Sequence, residues 1–286
     1  MSELLLGISK IALLTFLLTG MFELGLSLSL QQIIAPLRSV RLVAAALIAN
    51  FVIVPLLAVG CARLFRLEEP FAVGLLLLGL APGAPFLPKL AELAKGDLAF
   101  SVGLMVLLMA GGVVFLPLAL PRVLPGVSVS VWEIARPLLL LMVLPLIAGM
   151  VFKTRLERLA TRLRPWLGRV SNVSLLLVAV LVVAQNLPSV LRVFGTGAIA
   201  AGVVLTALAG LAGWLLSGPN IATRKVMVLG TGFRNLAAAL LVGEEDFKDP
   251  RVIVMLVVVA LAGVFLLLPI ALAWAKTPVV RPAVTN

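Results

Sequence analysis

Two cations stand in apolar surroundings, Lys89 and Arg234. Lys89 closes the stretch Leu80-Ala81-Pro82-Gly83-Ala84-Pro85-Phe86-Leu87-Pro88-Lys89, and Arg234 lies between Gly230-Thr231-Gly232-Phe233 and Asn235. A charge near the centre of a bilayer costs roughly 2.5–3.5 kcal/mol on insertion scales, so each points to a partner or a ligand. The chemistry on offer is anion binding. A guanidinium can hold a carboxylate through two parallel bonds, while an ammonium acts as a point charge. The alternative is structural, with each cation snorkelling to a surface or pairing inside the fold. Glu23 is the one acid that the apolar pattern places in the interior. It reads as counter-ion to Lys89 or Arg234, as a carboxyl that takes up a proton, or as half of a structural ion pair. Gln185 and Asn186 could face a crevice or bond one helix to another.

The elements that position these residues are interrupted helices. Pro82, Gly83, Pro85 and Pro88 remove backbone donors and break the helical ladder, and Gly230 and Gly232 mark a second break. Both breaks lie within apolar runs, where irregular backbone is tolerated only if it lines a protein cavity. Paired broken spans in corresponding positions of two halves point to the central site of a carrier built from inverted repeats.

The remaining chain is scaffold. Of 286 residues 62% are hydrophobic and 12% charged, and the mean hydropathy is +1.22. That composition leaves too little polar surface for a soluble domain and identifies an all-α polytopic membrane protein. About nine apolar runs are long enough to span: Leu4–Leu30, Leu42–Leu64, Phe71–Leu93, Leu98–Leu118, Val131–Phe152, Val170–Leu187, Gly197–Leu216, Val226–Val242 and Val252–Ala275. The third and eighth carry the breaks. Met1-Ser2-Glu3 lacks the basic start of a cleaved signal, so the first run is expected to remain as a span.

The net charge of +11 comes largely from short loops, which the positive-inside rule explains without nucleic acid. Loops after the first, third, fifth and seventh spans hold Arg38, Arg41, Lys95, Lys153–Arg169, Arg224 and Lys225, and the C-terminus holds Lys276 and Arg281. The other side holds Glu68, Glu69, Glu244, Glu245, Asp246 and Asp249. The expected orientation is N-terminus outside and C-terminus cytoplasmic, in the plasma (inner) membrane of a bacterium. Lys153–Arg169 has the pattern of an amphipathic helix on the cytoplasmic leaflet, or of a basic anchor between two halves. With one cysteine, Cys61, and no histidine, an intrachain disulfide and a Cys/His metal site are both excluded.

The chain resembles the bile acid:sodium symporter family in four stretches: Met21–Leu28, Asn50–Pro55, Gly79–Ser101 and Gly230–Leu241. Order and spacing match from about Gly20 onward, and Gly79–Ser101 is the specific part. The resemblance implies one transporter unit over residues 1–286. Its panel helices would come in part from about 4–64 and 131–187, and its core helices from about 42–118 and 197–275, with the broken helices crossing in the core. Members carry bile acids or small keto and hydroxy acids, usually with two sodium ions.

The departures fall where sodium binds. Leu87 and Pro88 stand where the family has serine and asparagine, and Gly230 and Arg234 where it has glutamate and glutamine. Met105 replaces a threonine and Asn50 a glutamine, while Ser101 and Asn235 are unchanged. Sodium needs several oxygen ligands, which leucine, glycine and methionine side chains do not supply. Sodium coupling is therefore not expected, and no other cofactor or metal is.

The reading is a secondary transporter of organic anions by alternating access. Lys89 and Arg234 replace the sodium ions, with Asn235, Ser101 and Asn50 beside the substrate and Glu23 as counter-ion. Its partners are a small organic anion and the lipid bilayer; oligomeric state is not readable. Proton-coupled or still sodium-coupled symport and a non-transporting receptor are the alternatives. An intramembrane enzyme is disfavoured because no serine–lysine, histidine or paired-aspartate constellation can be assembled.

Overall fold

In the computed structural model residues 3–124, 130–247 and 249–276 are described, and among them every regular element is helical. The first are α1 (Glu3–Ser27), α2 (Leu30–Leu37), α3 (Val40–Ile48) and α4 (Val54–Leu64), the last two joined by a π-helical turn, Ala49–Ile53. Next come α5 (Glu69–Leu80), α6 (Leu87–Leu93), α7 (Leu98–Val123) and α8 (Val131–Leu138), which runs through a second π turn, Leu139–Val143, into α9 (Leu144–Arg155). The chain continues with α10 (Glu157–Arg192), α11 (Ala198–Leu216), α12 (Ile221–Gly232), α13 (Leu236–Asp246) and α14 (Pro250–Lys276). Each π turn stands just before a proline, Pro55 or Pro145. A ring without an N–H cannot close the ordinary ladder, and the turn before it widens.

Among the described residues six helices are long and apolar enough to cross a membrane: Gly7–Ser27, Val40–Leu64, Leu98–Val123, Ala135–Arg155, Ala198–Leu216 and Pro250–Lys276. Of the nine expected runs, the third and eighth are divided into α5/α6 and α12/α13. The run Val170–Leu187 lies inside α10, a helix of 36 residues. Outward-facing Ile11, Leu56, Val173, Leu215 and Phe265 are each at least 65% exposed, as a lipid-facing surface requires.

Two expectations need correction. Lys153–Arg169 is not a separate surface helix, because α9 ends at Arg155 and Glu157 begins the continuous α10. Lys225 is not in a loop but in α12, buried. Arg281 lies outside the described residues.

The helices pack in two groups. One gathers α4, α5, α11 and α14 around Leu75, Leu77, Leu78, Leu205 and Val258. In the other, α1 lies along α9 and α10. Gly25 and Gly149 make that approach possible: a methyl on Gly25 would strike the Leu146 carbonyl oxygen, and one on Gly149 the Phe22 carbonyl oxygen. Small residues at such crossings let backbones touch where lipid supplies no hydrophobic drive. Gly25→Ala and Gly149→Ala are each expected to destabilise the protein by about 1–3 kcal/mol through overpacking. Thermal unfolding in detergent checks this, with Gly60→Ala, which meets nothing within 4 Å, expected to be unaffected.

Candidate functional site

The two breaks meet. Residues 81–86 separate α5 from α6, and 233–235 separate α12 from α13. The Asn235 N–H donates to the Ala81 carbonyl at 2.9 Å, and the rings of Phe86 and Phe233 pack edge to face at 5.3 Å. Gly83 turns the first break at φ +86°, with its α-carbon set against Met109 of α7, whose backbone N would lie 2.9 Å from any Cβ there. Pro82 and Pro85 lie in the break itself, whereas Pro88 lies in the first turn of α6. Gly230 and Gly232 are not in the second break; both belong to α12, which ends at Gly232.

Arg234 fills the junction. Its Nε donates to the Leu78 carbonyl at 3.3 Å and its Nη1 to Asn50 Oδ1 at 2.7 Å. Its Nη2 donates to the Gly79 carbonyl at 2.6 Å and to the Asn50 carbonyl at 3.4 Å. Leu78 and Gly79 lie in the last turn of α5, where carbonyls run short of internal donors and the dipole is negative; the Ala81 N–H also donates to the Leu78 carbonyl at 3.1 Å. In a π register the Asn50 carbonyl would receive the N–H of residue 55, which is proline. The guanidinium thus serves the Asn50 and Gly79 carbonyls, which the proline and the break leave short of donors, and adds a second donor to the Leu78 carbonyl. Asn50 is held by the Ala46 carbonyl (3.0 Å) and Thr231 Oγ1 (3.5 Å). Four of the guanidinium's five N–H groups are engaged, so neither edge is open for two-pronged capture of a carboxylate.

Lys225 does the same for the other half-helix. Its Nζ donates to the Ala94 carbonyl, at the end of α6, at 2.8 Å.

Lys89 and Glu23 form a second group. Lys89 Nζ, on α6, lies 2.7 Å from Glu23 Oε2, on α1, and both side chains are 6% exposed. Glu92 Oε2 is 3.3 Å from the same ammonium. The other oxygen of Glu23 accepts from Ser27 Oγ at 3.2 Å and meets Arg164 Nε, on α10, at 3.5 Å. Glu23 therefore pairs with Lys89 and not with Arg234.

Ser101 joins neither group; its hydroxyl donates to the Leu98 carbonyl of its own helix at 2.6 Å. Asn235 caps α13, accepting from the Ala238 N–H at 3.1 Å. Gln185 bonds Ser9 Oγ at 2.7 Å, a link between α10 and α1, and the Asn186 side chain lies outside the described residues. Thr231, Arg164 and Glu92 were not singled out by the sequence. A periodicity argument could have flagged only Thr231, three residues before Arg234.

At one position where the resemblance places sodium ligands, a Cβ on Gly230 would meet the methyls of Leu87 at 3.0 Å and Leu104 at 3.2 Å. Met105 beside it is fully buried. At the other position the oxygens face Arg234. Apart from both, Arg251 pairs at the surface with Glu68 (2.7 Å) and Asp249 (2.8 Å), and its hydrogen bonds hold the Asp249 carboxyl below the usual range.

Removing Arg234 would leave the Gly79 carbonyl and both Asn50 oxygens buried without the donors it supplies, while the Leu78 carbonyl would keep only the Ala81 N–H. Arg234→Ala is expected to lower stability by about 2–4 kcal/mol. Arg234→Lys, which keeps the charge but loses the fork, should fall between it and the wild type. Thermal unfolding of purified protein measures both.

Residues 14–193 match the sequence model of the Sodium Bile acid symporter family. A probable sodium/metabolite cotransporter of the chloroplast from Arabidopsis thaliana is 24% identical over 263 residues, covering 86% of this chain. The chain spans 65% of the length of that relative.

Proposed function

The chain belongs to the Sodium Bile acid symporter family, and from that premise we propose that it is a secondary transporter, not an enzyme, which carries small organic anions without sodium. In this reading α1, α8, α9 and α10 form a panel, and the helices around the two breaks form a core that rocks against it. The basic loops face the cytoplasm of a bacterial cell, and the N-terminus lies outside.

The observation that carries the reading is the guanidinium of Arg234 among the oxygens of Leu78, Gly79 and Asn50. Unwound carbonyls and half-helix C-termini are what coordinate the coupling cation in carriers of broken helices. Here a tethered cation receives those oxygens. At the other position leucine methyls close on Gly230, which offers a hard ion nothing. Lys89 is the charge left for an anion: an ammonium has three donors, and Glu23 and Glu92 engage two.

The test is flux in liposomes containing the purified chain, using labelled pyruvate and labelled cholate. Uptake of at least one anion is expected at the same initial rate when N-methyl-D-glucamine replaces sodium, and it should be accelerated by the same anion on the far side. Uptake that requires sodium overturns the proposal. Uptake that tracks an imposed pH gradient transfers it to proton coupling, and binding without flux marks a receptor.

A further inference from the structure

The reading above gives a substrate carboxylate to Lys89, yet Lys89 already holds one. Glu23 Oε2 sits 2.7 Å from the ammonium in surroundings that leave each side chain 6% exposed. An arriving anion must either share the ammonium with Glu23 or displace it. Displacement would strand a buried carboxylate, which is strongly unfavourable unless another cation takes it. Such a cation is present. Arg164 reaches Glu23 Oε1 from α10 with only Nε, at 3.5 Å, and its side chain is 49% exposed. Among the described residues it has no other partner, so most of its fork is unspent.

The geometry points to a carboxylate exchange, resting on the transport reading. Glu23 is an internal competitor that occupies Lys89 when the carrier is empty, and Arg164 is the positioning residue that receives Glu23 when a substrate carboxylate takes its place. The two oxygens of Glu23 make the handover continuous. Oε2 is held by Lys89 alone, whereas Oε1 is held by Ser27 and Arg164. Losing the lysine leaves the second set intact, and a small rotation converts the single long contact into a paired one of the kind that arginine favours. At no stage is a buried charge left alone. The three groups also sit on three helices, α6, α1 and α10. The empty state is thereby pinned between α1 and α6, and the loaded state has that pin withdrawn. Glu92, 46% exposed and 3.3 Å from Nζ, marks the side from which water reaches the ammonium.

The test compares wild type, Glu23→Gln, Arg164→Gln and the double variant as full-length protein in sodium-free buffer. Binding of pyruvate and of cholate, as N-methyl-D-glucamine salts, is read by calorimetry and thermal shift. Exchange is read in liposomes. Removing the competitor in Glu23→Gln should tighten binding of the transported anion about tenfold, a coupling of ordinary size. Its exchange should show a lower KM together with a lower kcat, because release now lacks a replacement carboxylate. Arg164→Gln should weaken binding about three- to tenfold in the wild type and not at all in the Glu23→Gln background.

Weaker or unchanged binding in Glu23→Gln overturns the handover, as does an Arg164→Gln loss that persists undiminished in the double variant. If Glu23→Gln fails to fold, unchanged affinity in Arg164→Gln, whose side chain is half exposed, overturns it alone. Methyl pyruvate, which lacks the charge, should bind all four proteins alike, and a variant-dependent change in its binding overturns the carboxylate basis of the effect. The two proposals fail separately. If no anion binds any of the four proteins, the transport reading falls and the handover with it. If wild type and Glu23→Gln bind and transport equally, only the handover falls.

Discussion

Breaking a helix inside a membrane leaves carbonyl oxygens without donors, and the junction of this protein is organised by the cations that meet that need. Arg234 bonds the last carbonyls of α5 and both the side chain and backbone of Asn50. Lys225 bonds the end of α6. The second broken segment thus supplies a cation to each half of the first. Water would satisfy such oxygens at a surface, but hydrocarbon cannot. A positive charge at the negative end of a helix dipole is also stabilised by the field that it neutralises.

The two groups of buried charge are balanced by different means, and the proposed exchange depends on the difference. Among the described residues Arg234 has no carboxylate partner; its donors are spread over oxygens of two segments, the end of α5 and the π turn at Asn50, so moving it would disrupt both. Lys89 faces a single carboxylate on another helix, a partner that can be replaced by another anion of the same chemistry. One cation is suited to hold the junction together and the other to change partners. The apolar closure of Leu87 and Leu104 over Gly230 lies between these roles, occupying volume where the resemblance would place oxygens.

What the sequence discloses is set by locality. Pro82, Gly83 and Pro85 announce the first break because backbone chemistry alone prohibits a helix there. The burial of Arg234 and Lys89 follows from their apolar neighbours. The widening at Asn50 was legible in Pro55 once the ladder is followed back from the missing N–H. The partner of Glu23 was legible only as a choice between Lys89 and Arg234, and its second contact, Arg164, was not legible, because 66 residues separate Glu23 from Lys89 and 141 from Arg164. Arg164 lies among five other cations between Lys153 and Arg169, and charge patterning cannot tell which one turns inward. Gly230 reads as a helix breaker in the sequence, but a glycine between Leu229 and Thr231 reports close packing as readily as a break, and the helix runs through it.

The seam between Gly25 and Gly149 bears on how far Glu23 can travel. The carboxylate stands two residues from the point where the backbones of α1 and α9 are in contact, and Gln185 stitches the opposite end of α1 to α10. With α1 fastened at both ends to its neighbours, Glu23 has no freedom to follow a moving α6 except by turning its own side-chain torsions. In the proposed alternation a larger displacement would be a swing of α1, α9 and α10 as one slab, with Arg164 travelling beside Glu23 and Lys89 left behind.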